Sequence, residues 1–131
     1  MLYISEMKNI INTKNAPAPI GVYSQAVMAG NTLYVSGQIA INPATGELVL
    51  TDIKAETKQV MENIKAILAE AEMDFSNVVK TSIFLLDMNN FSAANEIYGS
   101  YLTSNFPARE TVAVKGLPRN VNIEISIIAV K

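Results

Sequence analysis

Apolar residues recur at the helical period between Ile53 and Met73. Val60, Met61, Ile64, Ile67, Leu68 and Ala71 fall at i, i+1, i+4, i+7, i+8 and i+11, so they share one face. Lys54, Glu56, Lys58, Glu62, Lys65 and Glu72 supply the side expected to be solvated, and Asp52 is placed to cap the start. A second helix is predicted from about Phe91 to Asn105, capped by Asn89 or Asn90 and stopped ahead of Pro107. Its core face is Phe91, Ala94, Ile97, Tyr98, Tyr101 and Leu102. Asn95 falls inside that arc, where an amide either satisfies a buried backbone group or points into a site.

The remaining apolar runs read as strands. Residues 7–13 form the first. YSQAVMAGNTLYVSGQ is a hairpin, with two β-type runs flanking Gly30 and Asn31. Pro17 and Pro19 keep NAPAPIG from being helical, and Asn-Pro and Thr-Gly mark INPATGE as a loop. VVKTSIFLLD is dense in β-formers and nearly apolar after Ser82, which predicts a strand covered on both faces. Two last strands, Arg109 to Val114 and Val121 to Val130, are joined by KGLPRN. Three strands, a helix, a strand, a helix and two strands predict an α+β fold, with a mixed sheet and both helices on one face. No repeat or linker interrupts the 131 residues, so one domain is expected.

Composition narrows the chemistry. Half the residues are hydrophobic, 17% are charged, and the formal net charge is −2. The ten Lys and Arg are scattered and form no basic stripe, which argues against nucleic acid as a partner. There is no Cys and no His. Thiolate and imidazole chemistry are therefore excluded within this chain, whether as nucleophile, general base or zinc ligand. No run reaches transmembrane length and the N-terminus lacks the signal-peptide pattern, so the default compartment is the cytoplasm. Met7 is an alternative start, which makes residues 1–6 a dispensable extension.

Two charges then stand out. In the last strand Val121, Ile123, Ile125 and Ile127 face one way, and Asn122, Glu124, Ser126, Ile128 and Val130 the other. In FPARETVAV, Arg109 shares a face with Thr111 and Ala113. The pair fits a salt bridge at a sheet end or in an oligomer interface. It equally fits a small-anion site, in which the planar guanidinium grips a carboxylate and the glutamate serves as base for a water. If the last two strands pair as a hairpin, both side chains can share a face; the alternative is that they meet across a subunit boundary. Tyr23 after the proline loop, and Ser36 with Gly37 in VSGQ, have the character of a pocket lining, although a locally bonded Ser36 hydroxyl and a core or interface Tyr23 explain them as well.

NAPAPIGVYSQAV, LYVSGQIAINPATGE, VVKTSIFLLDMNNFSAANEIY, FPARETVAV and NIEISIIAV, in this order, resemble the sequence blocks of the RidA (YjgF-type) reactive-intermediate deaminases over nearly the whole chain from Asn9. The resemblance implies a chorismate-mutase-like domain assembled as a homotrimer, with clefts between subunits. It also implies hydrolysis of 2-iminoacids, such as 2-iminobutanoate and 2-iminopropanoate, to 2-ketoacids and ammonia without metal or cofactor. By the same resemblance Arg109 binds the substrate carboxylate and Glu124 activates water. Tyr23, Ser36, Gly37 and Asn95 line the site, and Thr111 contributes main-chain contacts. Thr111 stands where many members have cysteine, Glu110 replaces serine, Val22 a proline, and Ser126 a second glutamate. Glu110 raises competition for the Arg109 guanidinium, which strand alternation counters by pointing it to the opposite face. Two other functions fit less directly: a non-catalytic sensor of small carboxylates, and an endoribonuclease or translation inhibitor, which the acidic balance disfavours.

Overall fold

The computed structural model describes residues 8–131. The alternative start at Met7 lies outside the described residues. Six strands form one sheet: β1 (Lys8–Ile11), β2 (Ala26–Ala29), β3 (Thr32–Gln38), β4 (Val78–Leu85), β5 (Ala108–Ala113) and β6 (Ile123–Val130). Their order across the sheet is β1-β2-β3-β6-β4-β5. Only β4 and β5 run parallel, which makes the sheet mixed, as expected. Helices α1 (Ile53–Glu70) and α2 (Phe91–Ser100) pack together on one face. The last two strands are not a hairpin, because β6 inserts between β3 and β4 and leaves β4 between it and β5.

Local chemistry sets the element ends. The Asp52 side chain accepts from Ala55 N at 2.8 Å and starts α1 as expected. The helix stops at Glu70, short of Met73, because Glu72 takes φ 59° and Met73 N turns back to Leu68 O at 2.8 Å. Even so, Ala71 and Met73 stay in the core. Neither Asn89 nor Asn90 caps α2 through its side chain. Asp87 instead caps a 3₁₀ turn, Met88–Asn90, that leads into the helix. The helix closes at Ser100, and Asn105 at φ 51° redirects the chain into β5. Between β2 and β3, Gly30 adopts φ 61°, the left-handed position that the turn demands.

Val60, Met61, Ile64, Ile67 and Leu68 of α1 lie against Leu33, Leu85, Ile123 and Ile125, all at most 1% exposed. Each such side chain contributes about 1.5–3 kcal/mol through burial. β4 is covered on this face alone: Thr81, Ile83 and Leu85 are buried, whereas Lys80, Ser82 and Phe84 are partly open on the other. No helix among the described residues packs on that second face, so its expected cover is absent. Ile10, Tyr34 and Val112 are exposed there, in register with Val27, Ile128 and Phe84.

Glu56 corrects the simple helical pattern. It is fully buried, not solvated, and its carboxylate accepts from Asn122 N (2.7 Å), Asn122 Nδ2 (2.8 Å) and Ile123 N (3.2 Å). These donors stand just before and at the start of β6, where the ladder has not yet paired them. Glu56→Gln turns an amide donor toward them and is expected to cost about 2–4 kcal/mol in a urea melt.

Candidate functional site

Glu124 projects from β6 onto the helix-free face, opposite Phe84 of β4 and alternating with the buried Ile123 and Ile125. It lines a cleft of about 510 Å³ together with Tyr23, Ser36, Gly37, Ile39, Pro118 and Arg119. Burial raises its carboxyl above the ordinary value of 4.5. Gly37 is there for space. A Cβ at that position would overlap the Glu124 carboxylate, standing 2.7 Å from its Cδ. Since the obstructing atoms are the end of a movable side chain, Gly37→Ala is expected to fold normally but to displace the carboxylate. Any reaction that relies on this carboxylate should slow roughly 10- to 100-fold with little change in melting temperature.

Buried amides and Glu56 hold the walls of this cleft. Gln25, 2% exposed, donates from Nε2 to the carbonyls of Thr13, Ala16 and Pro17 at 2.9–3.2 Å and accepts from Thr13 N at 2.7 Å. It thereby fixes the proline loop. Asn63 on α1 donates to Ile39 O (3.2 Å) and Ile41 O (2.9 Å). Glu56 anchors the strand that follows the Pro118–Asn120 turn. None of these three stands out in the sequence as part of a site, because a lone Gln, Asn or Glu in an amphipathic pattern reads as surface.

Tyr23 is half exposed, and its hydroxyl accepts from Ile20 N at 3.2 Å. The Ser36 hydroxyl donates to Ser24 O at 2.6 Å, the local backbone bond that is one of the two readings of this serine, while the residue still lines the cleft.

Arg109 lies elsewhere. It aligns with Thr81 on β4, and both face α2. Its Nη1 donates to Asn95 Oδ1 at 2.6 Å, and its Cζ sits 5.6 Å from the Phe91 ring centroid and 5.4 Å from that of Tyr98. Tyr98 is fixed in turn by donating its hydroxyl to Thr81 Oγ1 at 2.9 Å. Asn95 is therefore an exposed residue that orients the guanidinium, not an amide inside the core arc. Around Arg109 is a second cleft, of about 390 Å³, with Asn95, Tyr98, Phe106 and Pro107. Thr111 lines neither cleft; its Oγ1 is buried without a hydrogen-bond partner.

Within one chain, then, Arg109 and Glu124 occupy opposite faces of the sheet, on strands separated by β4. Glu110 does not approach Arg109. It faces the helix-free side, where Lys80 Nζ and the Ser82 hydroxyl bond to it and hold its carboxyl below the ordinary range. Ser126 is opposite Ser82 on that same face. Among the described residues no three Asp, Glu, His or Cys side chains converge to hold a metal ion, and no helix is long and apolar enough to cross a membrane.

Comparisons with known proteins agree on one family. The model of the family described as endoribonuclease L-PSP matches residues 13–131. A RutC family protein of Pyrococcus horikoshii is 53% identical, with 95% of this chain and 99% of that one covered. The human protein named 2-iminobutanoate/2-iminopropanoate deaminase is 46% identical, with 97% and 93% covered. The solved structure of YyfA, a Rid-family protein of Yersinia pestis, superimposes with a TM-score of 0.92 at 49% identity, covering 95% of this chain and 99% of that one. The chain therefore belongs to the endoribonuclease L-PSP family, which is the YjgF/RidA family.

Proposed function

We propose that the protein is a 2-iminobutanoate/2-iminopropanoate deaminase that works as a homotrimer, each active site uniting Glu124 of one subunit with Arg109 of the next. The observation that carries this reading is the separation of the two residues. A carboxylate clamp and a placed base on opposite faces of one sheet cannot act on one small molecule unless a second copy supplies one of them. The helix-free face, with Ile10, Tyr34 and Val112 exposed, gives that copy an apolar surface to cover. The human relative's name supports the reaction.

In the proposed mechanism Arg109, already oriented by Asn95 and backed by two rings, binds the iminoacid carboxylate through parallel hydrogen bonds. That fixes C2 above a water held by Glu124. As the water oxygen bonds to C2, the carboxylate takes one water proton and passes it to the imine nitrogen, giving the carbinolamine; it then carries the remaining hydroxyl proton to the amine nitrogen as the C–O bond becomes a carbonyl. The C–N bond breaks, ammonia leaves, and the ketoacid carries the water oxygen. Tyr23, Ser36 and Gly37 shape the cleft around the reacting carbon, and Thr111 contributes through its main chain. Imine hydrolysis is intrinsically easy, so positioning and one base, worth about 10²–10⁴-fold, suffice. No residue in this scheme requires a metal or cofactor, and the expected setting is the cytoplasm.

The direct test generates 2-iminobutanoate with a threonine dehydratase and follows ketobutanoate release with and without the protein. Accelerated release supports the assignment. Binding without acceleration favours the non-catalytic sensor instead.

A further inference from the structure

Glu124 and Arg119 are the two charged residues among those lining the larger cleft. The proposed hydrolysis uses only the first. Arg119 sits in the Pro118–Asn120 turn at φ 54° and ψ 25°, and Asn120 follows at φ 56°. Two successive left-handed residues without glycine are uncommon and persist only where the surroundings enforce them. Here Asn120 N bonds Leu117 O at 3.2 Å and Val121 N bonds Pro118 O at 3.3 Å. Beyond them, the buried Glu56 carboxylate pins Asn122. The turn is thus closed by its own backbone bonds and anchored just beyond Asn120, and the exposed Arg119 lines the cleft from it.

Among the described residues the Arg119 guanidinium has no acidic partner. The ion pairs among the described residues are Lys54–Glu96, Lys80–Glu110 and Lys131–Glu72. Nor does Arg119 pair with Glu124: both line the cleft, but no ion pair joins them. The rest of the cleft includes the apolar Pro17, Ile20, Ile39 and Ile41, which suit a methylene chain. An unpaired planar cation at the edge of such a surface matches a second carboxylate at the far end of a substrate side chain.

We propose that Arg119 is a specificity-determining residue that binds the distal carboxylate of 2-iminodicarboxylates, extending the substrate range to molecules such as 2-iminoglutarate. This inference rests on the deaminase reading and leaves Arg109 as the clamp and Glu124 as the base. The reaction needs no further reactant: imine and water give 2-oxoglutarate and ammonia.

The test compares wild type, Arg119→Gly and Arg119→Glu on 2-iminobutanoate and 2-iminoglutarate, each formed in situ by an amino-acid oxidase and measured by competition with semicarbazide. Glycine adopts the left-handed turn without strain, so Arg119→Gly removes the cation while preserving the backbone. The expected result is a loss of roughly tenfold in kcat/KM for 2-iminoglutarate, larger for Arg119→Glu, with 2-iminobutanoate unchanged within about twofold. Weaker competitive inhibition by 2-oxoglutarate in Arg119→Gly, with inhibition by 2-oxobutanoate unaltered, is the matching binding result. An equal loss on both substrates overturns the proposal and makes Arg119 a clamp for the common carboxylate. No loss on either overturns it too, as does a wild type active on 2-iminobutanoate alone. A wild type inactive on both removes the deaminase reading itself.

Discussion

Glu124→Gln is expected to lower kcat by about 10²–10⁴-fold while making the protein more stable at neutral pH. The two effects share one cause. Burial raises the Glu124 carboxyl above its ordinary value, so the folded chain holds that proton more tightly than the unfolded chain does. Between the ordinary value of 4.5 and the raised one, the unfolded state binds fewer protons, and stability falls as pH rises through this window. Below the window the proton is bound in both states and the penalty vanishes. Above it the penalty is constant. Glutamine keeps the shape without the charge, so the Tm difference, variant minus wild type, should be near zero in acid, grow through the window and then level off. Activity runs the other way. In the proposed mechanism the base acts only when ionised, and wild-type kcat/KM should climb through the same window, displaced above the usual carboxylate range. A Glu124→Gln protein with an intact acid limb would assign the base to another group.

Part of that coupling is legible in the sequence alone. The alternation in NIEISIIAV gives Glu124 a face opposite to Ile123 and Ile125, because strand periodicity leaves no other choice once the apolar set is buried. The stripe on α1, the turn at Gly30 and Asn31 and the two-helix layer are legible for the same reason: local spacing determines them. Strand order is not. β5 and β6 are consecutive, and proximity in sequence favours a hairpin, yet β6 is drawn between β3 and β4, where Ile123, Ile125 and Ile127 meet α1. Nor is Glu56 legible, since a carboxylate on a helix is buried only when unpaired backbone donors from a distant segment converge on it. The helix-free face of β4 reads as covered because Phe84, Val112 and Ile128 belong to a surface that the lone chain leaves open. For Arg109 and Glu124, the motifs point to the residues, while the sheet order determines that they stand apart.

Removing the guanidinium should cost more in binding than in folding. In the proposed mechanism Arg109→Ala gives up two charge-assisted hydrogen bonds to the substrate carboxylate, and kcat/KM should fall by about 10²–10³-fold, much of it as a higher KM. The fold loses the contacts to Phe91 and Tyr98, about 0.5–1 kcal/mol at so exposed a site, and Tm should drop by only a few degrees. Arg109→Lys keeps the charge but not the fork and should recover part of the loss. The decisive form of the experiment combines two defective proteins. Arg109→Ala subunits retain Glu124, and Glu124→Gln subunits retain Arg109. If each site takes one residue from each neighbour around a three-fold ring, every mixed trimer contains one intact site. An equimolar mixture, unfolded and refolded together, should then recover about a quarter of wild-type activity. The same proteins refolded separately and then combined should recover none while subunits do not exchange. Arg109→Ala with wild-type turnover would remove the clamp, and inactive mixed oligomers would remove the shared site.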